Sequence, residues 1–537
     1  STPPPPPTPP VANDDVYSSI SGVPLVVPTA QGVMANDVSV NGTVTVVSGP
    51  AEGDLTLNPD GSFAYTTASA AASDSFVYQL QDANGTDQAT VTINLTARAL
   101  FVREGASGAG TLDDPRGDLD GALADALPGE TVFVLFSPNP LISATDLTVP
   151  AGVALIGEAS GLMNGMTVIV PPGPRPEIRT TLIMEDGTKA AGFLSSWASG
   201  PPNLDLDGAD TVTIDNLQIQ SGGGGDQITF SETTGTLTVR DSQFSLGNAL
   251  NGGLTSGSLA LIVEGNDFGD ADLFLTVDGA AASADLNFSD NSMRGRLDTT
   301  TSNAAHLDLL IEDSDFGSTA FLDLNQATGG TASTEIDGNT FQSAQVVRLD
   351  DIGGAGGEFS LTNNSFDQST QTSVVANLRG GVYEVVVIGN TITNTQGSVN
   401  QDIDIVASDG GSGLVRIEDN ETARGIWVLI VNGGNIGAGL LNNRVGKDPG
   451  GAGTGRRQLR VDANAGAAGD SLCARIAGND VGVTGIGGTI VLDNSGGSAA
   501  TLNVESLSTL AAENTTATPI NSAGTIGDVP LGTCAFP

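Results

Sequence analysis

The chain has 537 residues, of which 19 are basic and 62 acidic, giving a net charge of −43. That balance excludes nucleic acid and anionic lipid surfaces as partners, and the length exceeds what one compact core holds. Seventy-two glycines beside only 17 Phe, 4 Tyr and 2 Trp point to many turns, little helix and no large aromatic platform.

No run of 18 apolar residues is present, so membrane insertion is not expected. The start at Ser1, with neither Met nor an apolar leader, reads as a mature processed product or a fragment. Residues 1–10 are a Pro-rich tail, in which Pro3, Pro4, Pro5, Pro6 and Pro7 fix φ and remove backbone donors. An extended polyproline II segment is expected there, either a solvated spacer or an arm that docks on another subunit.

Residues 11–97 contain no Lys or Arg, nine Asp and Glu, and three of the four tyrosines. Short alternating runs such as Ser62-Phe63-Ala64-Tyr65, Ser75-Phe76-Val77-Tyr78 and Ala89-Thr90-Val91-Thr92-Ile93 are separated by turn signals, including Asn41-Gly42 and Asn84-Gly85. This spacing predicts an immunoglobulin-like β-sandwich. Ala12-Asn13-Asp14-Asp15-Val16-Tyr17, Val33-Met34-Ala35-Asn36-Asp37 and Asn58-Pro59-Asp60-Gly61-Ser62-Phe63 give the segment its resemblance to the cadherin-like, immunoglobulin-type repeats of bacterial surface proteins. The resemblance implies a spacer or adhesion module and, in some members, bound Ca²⁺. Asp14, Asp15, Asp37 and Asp82 are the candidate ligands it implies, since Ca²⁺ needs several clustered oxygens. The other reading of these four is as turn and capping aspartates.

Residues 98–160 change character. Apolar positions 119, 122, 123, 126 and 127 mark one face of a short helix, ended by Pro128-Gly129, and Thr131-Val132-Phe133-Val134-Leu135-Phe136 reads as a buried strand. A helix followed by Pro128-Gly129-Glu130-Thr131 resembles the capped start of pectate-lyase-like right-handed parallel β-helices. A cap has a physical purpose there, because an open solenoid end exposes apolar core and unpaired strand edges.

Residues 161–510 carry a repeated phrase: an alternating apolar run, then Asp or Gly, then Asn. It marks Asn216, Asn266, Asn291, Asn339, Asn364, Asn390, Asn420 and Asn479, with weaker copies at Ser242, Ser314 and Asn443, the last counted among the ladder asparagines. The period of about 25 residues predicts stacked coils of short strands, with the asparagines forming an internal ladder at a tight turn. Longer steps after Asn390 and Asn443 mark insertions, the first places to seek whatever the coil binds. Residues 511–537 are expected to cap the last coil. Cys473 and Cys534 are expected to form one disulfide, the other reading being two buried thiols. The expected fold class is therefore all-β: a sandwich plus a right-handed parallel β-helix with a short N-terminal capping helix.

The β-helix resemblance also raises polysaccharide cleavage, but fold alone does not carry an activity. The sole histidine, His306, stands in Ala304-Ala305-His306-Leu307-Asp308 and reads as a strand residue. Arg348-Leu349-Asp350-Asp351 reads as a surface pair at a turn. Gly222 to Gly225 followed by Asp226 reads as a flexible turn, and no phosphate loop, zinc spacing or nucleophile elbow occurs. No catalytic residue is assigned. Arg444, Lys447, Arg456, Arg457 and Arg460 concentrate positive charge near the C-terminal end, against an acidic first segment. That asymmetry suits head-to-tail contacts between copies of the chain, while pairing with nearby acids is the other reading. The expected function is that of a secreted bacterial surface module that self-assembles or serves adhesion. Cleavage of a polysaccharide, or its binding at an adhesin tip, is the alternative; no cofactor is expected beyond Ca²⁺.

Overall fold

The computed structural model describes residues 8–164, 167–197, 202–221, 224–327, 329–342, 346–351, 355–367, 372–393, 401–446, 458–465, 469–482, 488–495, 500–516 and 520–534. Pro3 to Pro7, Lys447, Arg456 and Arg457 lie outside these residues. The chain divides into two compact units, Ser1–Ser196 with Asn216–Gln218, and Trp197–Asp215 with Ile219–Pro537.

In the first unit, Thr43–Ser48, Ser73–Asp82 and Gly85–Val102 form an antiparallel sheet, joined by Asp15–Ser21, which runs parallel to the last of these. Leu25–Val27, Phe63–Thr66 and Asp54–Leu57 form the facing sheet. Alternation decides which side chains turn inward. Phe63, Tyr65, Phe76, Tyr78, Val91 and Ile93 fill the space between the sheets. The rings of Phe63 and Phe76 meet edge to face at 5.6 Å.

The strand Gly85–Val102 does not stop at the sandwich. Its last four residues, Ala99 to Val102, pair in parallel with Thr131 to Val134, and these pair in turn with Ala154 to Gly157. The first coil thus grows directly from a sandwich strand, which passes through the segment boundary at 97/98. Gly22 makes this possible: its φ is +96°, and a Cβ there would meet the Ala99 carbonyl oxygen at 1.9 Å. Arg98 fixes the junction by pairing with Glu130 at 2.7 Å and donating to the Asp125 carbonyl. The capping helix is Leu119–Asp125; Asp118 accepts from Gly121 N–H at 3.0 Å, and Leu119, Ala122 and Leu123 are buried.

The second unit is a parallel β-helix. A long sheet includes His306–Glu312, Thr331–Asp337, Gly356–Thr362, Val382–Ile388 and Ser412–Glu418, each parallel to the next. A second includes Arg296–Ser302, Phe321–Gln326, Val346–Asp351, Val374–Arg379, Ile403–Ser408, Ile426–Val431 and Gln458–Ala465. A third, of two- and three-residue strands, runs from Ser292–Met293 to Thr515–Thr516.

At the corner before the third sheet two residues act together. The first adopts a positive φ: Asp290, Asn363, Asp419 and Asn442 lie between 53° and 56°, and Gly265, Gly338, Gly389 and Gly478 between 67° and 71°. Only Gly, Asn and Asp adopt this conformation readily. The second is the ladder residue. The Oδ1 of each ladder asparagine accepts from the backbone N–H of the ladder residue one coil before. Where that residue is also asparagine, it accepts from the side-chain amide as well, as in Asn339 to Asn364 (2.9 and 3.0 Å) and Asn390 to Asn420 (2.9 and 2.9 Å). The ladder runs from Ser242 through Asn266, Asn291, Ser314, Asn339, Asn364, Asn390, Asn420, Asn443 and Asn479 to Asn514. Two residues further on, the rings of Phe316, Phe341 and Phe366 stack at 4.8 and 4.4 Å.

Asn216 departs from this pattern. It takes the positive-φ position itself, at 51°, and its Oδ1 accepts from Arg175 at 2.8 Å while its amide donates to Ser160 at 3.1 Å. The residue in its ladder slot is Leu217, which can make no such bond.

Cys473 and Cys534 form a disulfide with Cα atoms 5.4 Å apart, closing a loop of sequence separation 61. Cys534 N–H also donates to the buried Glu505. Loss of the bond should loosen the last coils. We expect Cys534→Ala to cost about 2 kcal/mol, read as earlier melting and faster amide exchange confined to residues beyond 470. Unchanged exchange there would refute it.

Candidate functional site

The outward face of the second long sheet of the coil unit collects the least satisfied polar groups. Alternation sends Leu297, Leu322, Val347, Val374, Ile403 and Ile426 inward, where all are fully buried. One residue further on, the strand register aligns Asp298, Asp323, Arg348, Val375, Asp404, Trp427 and Arg460 in an outward row. Two residues beyond that row, Asn325, Asp350 and Asn377 form a parallel one, which later includes Asp462 and Asp493.

Two arginines on this face are each held between two carboxylates. Arg296 reaches Asp298 and Asp323, both at 2.7 Å, and Arg460 reaches Asp462 and, at 3.0 Å, Asp493. Arg348 instead lies 5.3 Å from the Phe321 ring centroid, with Arg296 5.8 Å from the same ring. Arg460 covers the Trp427 ring at 5.4 Å.

Asp404 is the most exceptional group. One carboxylate oxygen accepts from Gln401 at 3.0 Å; the other is buried and has no partner among the described residues. Burial raises its pKa above the usual carboxylate range, against the lowering effect of Gln401. Asp350 Oδ1, Asp323 Oδ1 and Trp427 Nε1 are likewise buried without a partner among the described residues. Buried polar atoms are normally satisfied, so orphans concentrated on one face mark a surface shaped for something else.

The residues singled out by sequence are dispersed. Asp15 and Asp37 come together beneath Tyr78, whose hydroxyl lies 2.9 Å from Asp37 Oδ2. Burial first, then the charge of Asp37, pushes Asp15 up to about 7, and Asp37 is raised in the same direction. Asp14 accepts from Thr90 N–H at 2.7 Å, and Asp82 from Val40 and Asn84 N–H. The last two thus serve the backbone. Among the described residues no group of three or more His, Cys, Asp or Glu is arranged to hold a metal ion.

Arg444 pairs with Glu421 at 2.6 Å, and Arg460 belongs to the outward face described above. His306 is exposed, between Thr331 at 2.8 Å and Asp308 at 3.1 Å. Arg348 and Asp350 lie within the strand Val346–Asp351 rather than at a turn, and among the described residues no ion pair joins them; Arg348 lies over the Phe321 ring instead. Asp404 lies in the first insertion, which the sequence marks as a place for binding without assigning it a role, and Trp427 escaped the sequence reading. The signal available was the alternation Asp402-Ile403-Asp404-Ile405 just inside the first insertion.

The model of the bacterial Ig domain family matches residues 7–94. The chain thus combines an N-terminal immunoglobulin-like domain with a parallel β-helix, two architectures typical of secreted and cell-surface bacterial proteins. Among solved structures, 96% of the chain aligns with 98% of the family 28 exopolygalacturonase of Yersinia enterocolitica, at 12% identity and a TM-score of 0.20. No curated protein matches. Among the described residues no helix is long and apolar enough to cross a membrane.

Proposed function

We propose that this is a secreted bacterial protein that binds a polysaccharide along the outward face of the second sheet and hydrolyses it there. The observation that carries the reading is Asp404, a carboxyl held toward its neutral form by burial, with one oxygen partnerless beside Trp427. Glycoside hydrolysis needs such a proton donor and a second, ionised carboxylate. Asp350 is the second group. It lies two coils and two residues away, ~12 Å between Cα atoms at ordinary strand spacings, so the two side chains must lean toward each other to reach the ~6.5–9.5 Å carboxyl separation that brackets a sugar and a water. In this scheme Asp404 gives its proton to the departing glycosidic oxygen. Asp350 takes a proton from the water that attacks the anomeric carbon, the arrangement of inverting enzymes.

The test is product release from a panel of neutral, anionic and cationic polysaccharides. The active substrate should lose at least ~100-fold in kcat with Asp404→Asn, and wild-type activity should fall as pH rises through the elevated pKa of Asp404. An inert wild-type chain across the panel would overturn the reading. The ladder-stiffened coil would then favour a structural role as a self-assembling surface module, which electron micrographs would show as filaments.

A further inference from the structure

Resting on that reading of the outward face, we infer that its saccharide is cationic, a polymer of amino sugars with free amines. The argument is the balance of donors and acceptors. Among the described residues five carboxylates, Asp298, Asp323, Asp350, Asp462 and Asp493, and the carboxyl group of Asp404 share this face with four guanidinium groups, Arg296, Arg348, Arg379 and Arg460. Arg296 and Arg460 are each already held by a pair of carboxylates. Arg348 lies against Phe321, and Arg379 stands at the end of its strand, aligned with Ser408. A uronic acid polymer would bring further carboxylates to a surface on which half of the guanidinium charge is already neutralised.

The open atoms point the same way. Asp323 is only 6% exposed, yet its Oδ1 has no partner among the described residues, and Asp350 Oδ1 and Asp404 Oδ1 share that condition. All three are acceptors, a neutral Asp404 through its carbonyl oxygen, and they outnumber the two open donors of this face, Arg296 Nε and Trp427 Nε1. An ammonium group offers three donors and a positive charge, and so complements them more fully than a hydroxyl or an acetamide does. The net charge of −43 would draw such a polymer in.

The test compares hexamers of glucosamine, N-acetylglucosamine and galacturonate binding to the full-length chain, followed by Trp fluorescence and calorimetry. The glucosamine hexamer should bind about tenfold more tightly than either of the others, and the advantage should shrink sharply at high salt. Asp350→Asn with Asp404→Asn should remove most of it. Those substitutions replace carboxyl groups whose Oδ1 has no partner among the described residues, so they should not unfold the coil, and an unchanged melting curve would verify that. Equal or tighter binding of the acetylated or uronate hexamer would overturn this inference while leaving the hydrolytic site standing. Glucosamine binding unaffected by the double substitution would mean diffuse attraction to an acidic surface and would overturn it too. Failure of every hexamer to bind, together with an inert polysaccharide panel, would remove both.

Discussion

Replacing Asn364 with Ala should destabilise the coil unit by about 3–5 kcal/mol. Asn364 is 1% exposed. Its Oδ1 accepts from Asn339 N–H at 2.9 Å and from the Asn339 amide at 3.0 Å. Its own amide donates to the Ile336 carbonyl at 2.9 Å and to Asn390 Oδ1 at 3.0 Å. Alanine removes all of these and leaves buried groups on both neighbouring coils without partners. The effect should be local, because each coil contacts mainly its neighbours. Amide exchange should therefore rise most at Asn339, Ser365 and Thr391. Asn364→Ser should lose roughly half as much, since Ser314 already serves as a rung by accepting from Asn291 N–H at 3.1 Å. A loss below about 1 kcal/mol for the alanine variant would mean that the ladder is incidental to stability.

The repeat was legible because the corner imposes two requirements in succession, a residue tolerant of positive φ and then an amide. Few residues meet both, so the sequence shows Asp, Asn or Gly followed by Asn. The same rule explains the misplaced rung. Asn216 satisfies the first requirement rather than the second, and the following Leu217 breaks the phrase. Asn514 was missed for a different reason. It follows the short helix Leu510–Glu513 rather than an alternating strand, so no repeat announces it, although it closes the ladder by accepting from Asn479 N–H at 2.9 Å. The candidate site was legible only in part. Alternation shows that Asp323, Asp350 and Asp404 face outward. Which outward carboxylates are neutralised depends on residues one coil away, as when Arg296 reaches Asp323 at 2.7 Å. One-dimensional spacing does not encode that pairing.

The sandwich should lose stability as pH rises, the reverse of what most carboxylates produce. Asp15 has a folded pKa of about 7 against a reference of 3.8, first because it is buried and then because Asp37 lies beside it. A raised folded pKa means that the native state holds the proton more tightly. Its contribution is complete below 3.8 and is lost as pH climbs toward 7. Asp37 is raised as well and adds in the same direction. Asp74 opposes them: its burial is outweighed by N–H groups of Ala51, Glu52 and Ser75, so its pKa is lowered and its contribution is lost on acidification below 3.8. Between these limits the sandwich should be most stable in mild acid. Asp15→Asn cannot ionise, so it should match wild type in acid below pH 3.8, where Asp15 is protonated in both states, and exceed it at pH 8 by about 2–4 kcal/mol. Exchange protection of Tyr78 and Val91 in the full chain, compared at the two pH values, measures the difference. Millimolar Ca²⁺ at pH 8 separates the remaining explanations. If it restores protection to wild type and not to Asp15→Asn, the Asp15–Asp37 pair accepts a cation where it would otherwise hold a proton. If it changes neither, the pair is a proton-binding element alone. Equal protection of wild type and variant at pH 8 would mean that Asp15 ionises without penalty, and the expected pH dependence would fail.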